Sequence, residues 1–198
     1  MDMTRPAQSL GSGAGNGNGQ FDRPFGIGVD QEGNLYVADT NNHRVQVLSS
    51  EGTFIKHIGS KGTGPGEFKY PIGITIDQRR RRMIVTDYEN QRVQVLDLEG
   101  KFLFFLAGNQ GGREGQGQGQ GEFYLPWGVA LSPSGSEIAV ADQCNHRVQI
   151  FGAEKGEYRR TIGKKGKQPG EFSSPRGVGY LSEDTLVIGD HSNERLQV

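Results

Sequence analysis

Four times along the chain an aspartate is followed three residues later by asparagine and five residues later by arginine. The sets are Asp39, Asn42 and Arg44; Asp87, Asn90 and Arg92; Asp142, Asn145 and Arg147; Asp190, Asn193 and Arg195. A carboxylate, an amide and a guanidinium at fixed spacing have the donors and acceptors to bind an anion or a metal ion. They also suit a tight turn. Asp and Asn side chains hydrogen-bond nearby backbone amides, and an arginine that opens the next segment can grip a carboxylate or a carbonyl with its planar fork. Successive aspartates lie 48, 55 and 48 residues apart, so the motif marks a repeat. A group present in every unit answers a need of every unit, and a structural role is the expectation for these residues.

The other reactive residue types are sparse. His43 and His146 share one slot of the repeat, but that slot holds Gln91 and Glu194 in the other units, and His57 and His191 fall elsewhere. No pair has zinc-ligand spacing. The single cysteine, Cys144, sits in a polar turn and cannot form an internal disulfide, which favours a reducing compartment. No Gly-x-Ser-x-Gly elbow, Gly-Lys-Ser phosphate loop or calcium loop occurs, and the Gly-x-Gly sequences lie in linkers. The expectation is no catalytic residue, no metal and no cofactor.

The elements that position these residues are short. Each unit opens with a Gly-rich segment leading to Phe and Pro: Phe21 to Pro24, Phe68 to Pro71, Phe123 to Pro126, Phe172 to Pro175. Four β-rich runs follow, separated by Gly, Pro, Asn and Asp; the first unit has Gly26–Asp30, Leu35–Ala38, Val45–Leu48 and Phe54–Gly59. No stretch has a sustained helical period. Four antiparallel strands per unit is the make-up of a propeller blade, so the fold class is all-β, a β-propeller. Glycines in the first strand (Gly26, Gly28, Gly73, Gly128, Gly177, Gly179) mark close backbone approach near the axis. The units read as 21–67, 68–122, 123–171 and a shorter 172–198, with 1–20 as the tail of a preceding repeat and 108–121 as a Gly/Gln-rich, flexible surface loop.

These motifs resemble the NHL-repeat β-propellers. The resemblance rests on Pro-x-Gly-[Ile/Val], Leu35-Tyr36-Val37-Ala38-Asp39, Asn42-His43-Arg44-Val45-Gln46-Val47 and the Gly59–Phe68 linker, and it runs from about Leu10 to Val198. The linker looks most like that of animal tripartite-motif NHL ubiquitin ligases. The resemblance implies four repeats of a six-bladed ring, the rival arrangement being a closed four-bladed ring in which residues near Arg5 to Leu10 complete the last blade. It further implies an interaction module that receives protein or RNA. With one Cys the chain cannot contain a RING zinc domain, so within a ligase it would be the substrate-selecting part.

Hairpin topology sorts the charged residues. The linker end of the units gathers Arg23, Lys61, Lys69, Arg113, Lys164, Lys165, Lys167 and Arg176, with His146 and the aromatics Tyr70, Tyr124 and Trp127, as a candidate partner- or RNA-binding face. Asp22, Glu67, Glu114, Glu122 and Glu171 share that end, and the net charge is −1, so no global attraction to polyanions follows. Arg79, Arg80, Arg81 and Arg82 occupy the opposite end of unit two, as a solvated turn or a docking patch for an acidic partner. No membrane-spanning run and no signal peptide is evident, and a cytoplasmic protein without a small-molecule substrate is expected. The alternative is a lyase- or lactonase-type propeller enzyme with an axial metal. Against it, the only inner-strand carboxylates, Asp30 and Asp77, lie at strand ends.

Overall fold

A computed structural model describes residues 9–108 and 117–198. The first sheet contains β1 (Pro24–Val29), β2 (Leu35–Asp39), β3 (Arg44–Leu48) and β4 (Phe54–Ile58). The second contains β5 (Pro71–Asp77), β6 (Arg82–Asp87), β7 (Arg92–Asp97) and β8 (Phe102–Phe105). The third contains β9 (Pro126–Leu131), β10 (Glu137–Asp142), β11 (Arg147–Gly152) and β12 (Tyr158–Ile162). The fourth is three-stranded: β13 (Pro175–Tyr180), β14 (Leu186–Asp190) and β15 (Arg195–Gln197). Each is an antiparallel meander in sequence order, as expected for a blade.

The register repeats with the sequence. Asp39 pairs with Arg44, Asp87 with Arg92, Asp142 with Arg147 and Asp190 with Arg195, so the motif closes the same hairpin in every blade. Two local features were not legible in the sequence. The first strand of each blade shifts register just after its Pro, for example between Pro24 and Ile27. The residue before each of these prolines (Arg23, Tyr70, Leu125, Ser174) has a positive φ, as does the residue before each motif arginine (His43, Gln91, His146, Glu194). Left-handed backbone at non-glycine residues is costly, and the surrounding contacts must hold it in place.

The core lies between the sheets. One cluster joins blades one and two (Tyr36, Val45, Val47, Phe68, Ile74, Met83, Leu96), a second joins two and three (Ile84, Val93, Phe123, Val129, Val140, Phe151), and a third joins three and four (Val148, Ile150, Phe172, Ile188). Each blade therefore depends on its neighbours, as in other repeat folds. The inner strands pack in succession, β1 on β5, β5 on β9 and β9 on β13, and no comparable packing joins β13 to β1 among the described residues. The outer face of the first blade leaves Ile27 58% exposed, and the last blade leaves Leu196 74% exposed. The four blades thus form an open arc. The N-terminal linker serves the first blade, with Leu10 against Gly52 and the Gln20 carbonyl accepting from Gln46.

Glycine is required where inner strands meet. A Cβ on Gly26 would strike the Ile72 carbonyl, one on Gly73 the Trp127 carbonyl and one on Gly128 the Arg176 carbonyl, whereas Gly177 faces open space. Gly128→Ala is therefore expected to cost about 1–3 kcal/mol in urea unfolding, while Gly177→Ala stays within about 0.5 kcal/mol of the parent. Equal costs at the two positions would contradict this packing.

Candidate functional site

The motif residues hold the linker that enters their own blade. In the second blade the Asp87 carboxylate accepts from the Lys69 N–H (2.6 Å), Asn90 (2.8 Å), Arg92 Nε (2.7 Å) and Gln94 (3.1 Å). With Asp87 fixing one side of these groups, their remaining donors reach the linker backbone. Asn90 donates to the Gly62 carbonyl (2.8 Å), Arg92 to those of Thr63 (2.6 Å), Gly64 (2.8 Å) and Glu67 (2.9 Å), and Gln94 to Glu67 (2.7 Å). Gln94 also accepts from the Gly66 N–H at 2.9 Å. The same set recurs around Asp142 and Asp190, and around Asp39 with fewer carbonyl contacts from the arginine. The glutamines Gln46, Gln94, Gln149 and Gln197, which recur in the motif but are not among the twelve residues expected to carry its structural role, complete the clamp. The available signal was a polar residue always two places after the arginine, inside an apolar strand.

Burial sets the electrostatics of these carboxyls. Burial pushes Asp87 up, against Arg92 and the Lys69 N–H; it pushes Asp142 up against the Tyr124 N–H and Asn145. At Asp190, in the open last blade, burial still opposes ionisation, but the Ser173 N–H, Asn193, Arg195 and Gln197 outweigh it and hold the carboxyl below its usual range. The clamp's polar groups are satisfied within the protein, which leaves little for a diffusible ligand.

The arginine run is mostly engaged. Arg82 lies on β6 and is buried, donating to Asp77 (3.0 Å) and to the Ala153 carbonyl of the third blade. Arg80 bridges Asp77 (3.1 Å), the Gly135 carbonyl (2.9 Å) and Glu154 (3.3 Å), and Arg79 donates to the Ser134 carbonyl. Arg81 reaches back to Glu32 of the first blade at 2.9 Å. The expected docking patch thus loses Arg82 to the interior. The other three arginines tie neighbouring blades, because that turn is long enough to reach across both interfaces. Asp77 is committed to this clasp, and Asp30 accepts from Asn34 at 2.8 Å.

The residues expected on the linker-end face differ in exposure and pairing. Arg23, Lys61, Lys165 and Lys167 are exposed, while Lys69 pairs with Glu89 (3.2 Å) and Lys164 with Glu171 (3.5 Å). Arg113 lies outside the described residues, as does most of the 108–121 loop, though Gly117, Gln118 and Gly119 are held by Asn145 and Arg147. Tyr124 is half-buried. Tyr70 packs edge-on to His43 (4.4 Å between ring centroids), and its N–H donates to His43 Nδ1 at 3.1 Å. His146 Nδ1 accepts likewise from the Ser174 N–H at 3.0 Å. These two histidines link blades through the strained residue before Pro. Burial and the nearby Lys61 lower the pKa of His43; burial and Lys165 lower that of His146.

Two expected residues do meet. The Arg176 guanidinium sits 4.4 Å from the Trp127 ring centroid. Phe25, another linker-end aromatic beside a first-strand proline, and Tyr88, which sequence reasoning did not single out, pack edge-on to Trp127 at 5.6 and 5.5 Å. Phe25, Trp127 and Arg176 each follow a blade's first-strand proline, and Tyr88 lies in the β6–β7 turn, so the four converge at the linker end near the axis. Cys144 is half-buried nearby, its thiol pushed up by burial and by Asp142, which disfavours the thiolate. Among the described residues no three His, Cys, Asp or Glu side chains gather as a metal site, and no helix is long and apolar enough to cross a membrane.

Two family models match the chain: a 6-bladed beta-propeller over residues 28–105 and an NHL repeat over residues 123–151. The brain tumor protein of Drosophila melanogaster is 37% identical over 68 residues, which is 34% of this chain and 7% of that protein. The E3 ubiquitin-protein ligase TRIM71 of Rattus norvegicus is 47% identical over 49 residues, 25% of this chain and 6% of the ligase. Peptidyl-glycine alpha-amidating monooxygenase of Mus musculus is 30% identical over 154 residues, 74% of this chain and 15% of the monooxygenase. The chain thus spans a small part of each relative. A solved auxiliary nutrient binding protein from Bacteroides ovatus has a TM-score of 0.67 at 13% identity, covering 89% of this chain and 48% of that one, a likeness of fold alone.

Asp87→Ala leaves buried Arg92 without its carboxylate, and the expected loss is about 3–5 kcal/mol in denaturant unfolding. Asp190→Ala, whose arginine is more exposed, is expected to lose less. For the histidines the folded pKa lies below the ordinary 6.5, so their stabilisation is complete above that pH and is lost as pH falls through the folded value. The melting temperature should drop on acidification from pH 7.5 to 5.5, with a flatter profile in the double variant His43→Gln, His146→Gln. An unchanged slope in that variant would remove the assignment.

Proposed function

Because this chain belongs to the NHL-repeat β-propellers, we propose that it is a non-catalytic interaction module. Its parent would be a tripartite-motif NHL-like E3 ubiquitin ligase, with this chain as the target-binding part. The carrying observation is the clamp. Each blade uses its repeated carboxylate, amide and guanidinium to anchor its own linker, so the linker-end rim is a set of exposed side chains on fixed backbone. Rigid scaffolds with variable rims suit recognition. A protein partner fits this rim better than RNA, because carboxylates share it with the lysines and two of these, Lys69 and Lys164, are already paired. Cytoplasmic residence belongs to the same reading.

The overlap with the amidating monooxygenase favours a second reading, a propeller lyase with an axial metal. It would need ligands beyond Asp30 and Asp77, which are engaged in their own turns.

The triple variant Lys61→Glu, Lys165→Glu, Lys167→Glu is expected to melt like the parent and to lose the partners that the parent retains in cross-linking from lysate. Retention of the same partners would end the proposal for this face. Calcium or zinc should leave the melting temperature unchanged, and a rise of several degrees would turn the choice to the enzyme.

A further inference from the structure

The cluster at the axis draws one residue from each blade: Phe25, Tyr88, Trp127 and Arg176. Arg176 differs from the motif arginines. Each of those has an aspartate at 2.7–2.8 Å, whereas Arg176 has no carboxylate partner among the described residues. Its Nε is buried without a hydrogen-bond partner. An arginine that is partly desolvated, laid over an indole and unneutralised is set to receive an anion. Phe25 remains 53% exposed, so the site opens to solvent beside an apolar wall. Gln143 Oε1 is a second buried polar atom without a partner; in the equivalent slot Thr40 donates to the Pro71 carbonyl of the next blade at 2.6 Å.

We propose that Arg176, laid on Trp127 and flanked by Phe25 and Tyr88, is the receptor for a carboxylate side chain of an acidic peptide. The proposal rests on reading the linker end as a recognition face, and it names the ligand class there. A carboxylate matches the guanidinium fork with two parallel hydrogen bonds. The aromatic wall accepts the apolar part of the same peptide. A nucleic-acid strand needs a track of several cations for successive phosphates. Here Arg176 is the one cation in the aromatic cluster; of the rim cations, Lys69 and Lys164 are already paired to Glu89 and Glu171, and Arg23, Lys61, Lys165 and Lys167 are exposed.

Trp127 is the only tryptophan, so its fluorescence reports on this site without a label. Hexaglutamate is titrated at low salt, with hexaglutamine as the neutral control and oligouridylate as the nucleic-acid control. The expected result is a saturable change with hexaglutamate and none with hexaglutamine. Arg176→Gln should weaken it about tenfold or more, and Arg176→Lys should restore part of it, because a point charge replaces the fork. Should Arg176→Gln melt early, Arg176→Lys alone decides, through an affinity below that of the parent. An equal response to hexaglutamine, an unaltered affinity in the Arg176 variants, or a response to oligouridylate alone would overturn the proposal. If the triple lysine variant loses its partners while hexaglutamate gives no signal, only the acidic ligand falls. If neither measurement responds, the recognition face itself falls.

Discussion

One carboxylate oxygen organises each blade. Asp87 Oδ2 accepts from an asparagine, an arginine and a glutamine, while Oδ1 takes the backbone N–H of the residue after the linker phenylalanine. A buried ion pair is a poor source of stability unless the remaining hydrogen-bonding groups are also satisfied. Here they are, and the groups that satisfy them are linker carbonyls. The Gly-rich linker has almost no side chains to pack, so polar contacts to its backbone hold it against the blade.

That arrangement explains why the repeated residues look reactive and are not free to react. Their donors and acceptors are consumed by one another and by the linker that enters the blade. The same economy operates at the opposite end, where Asp77 with Arg80 and Arg82 stitches the second blade to the third, and Arg81 reaches the first. The apolar layers between sheets supply most of the burial. The close approach of inner strands at Gly26, Gly73 and Gly128 sets their spacing. Blades fixed in this way bring the start of every inner strand to one place. That is how Trp127 comes to meet a phenylalanine, a tyrosine and an arginine from three other blades.

The proposed recognition role rests on what this construction leaves over. Exposed lysines stand on anchored loops around an aromatic centre that contains an unneutralised arginine. The carboxylates interleaved with those lysines divide the rim into small patches, which suits contact through a few carboxylates of a peptide more than a continuous phosphate backbone.

The repeat spacing, the β-rich runs and the turn residues between them determined the all-β class, the four-stranded meander and the hairpin that each motif closes. These are local signals, readable because side-chain type and period act over a few residues. Tertiary structure decided what the motif side chains bind, since the glycine carbonyls that accept from Asn90 and Arg92 lie almost thirty residues earlier in the chain. It also decided that Arg82 is buried while Arg81 is not, although the two are adjacent: Arg81 lies in the turn and Arg82 begins a strand against the next blade. The axial cluster needed both levels. Phe25, Trp127 and Arg176 share the repeat position after a first-strand proline, but Tyr88 lies in the β6–β7 turn, and only the rotation of each blade relative to the last carries the four to a common axis.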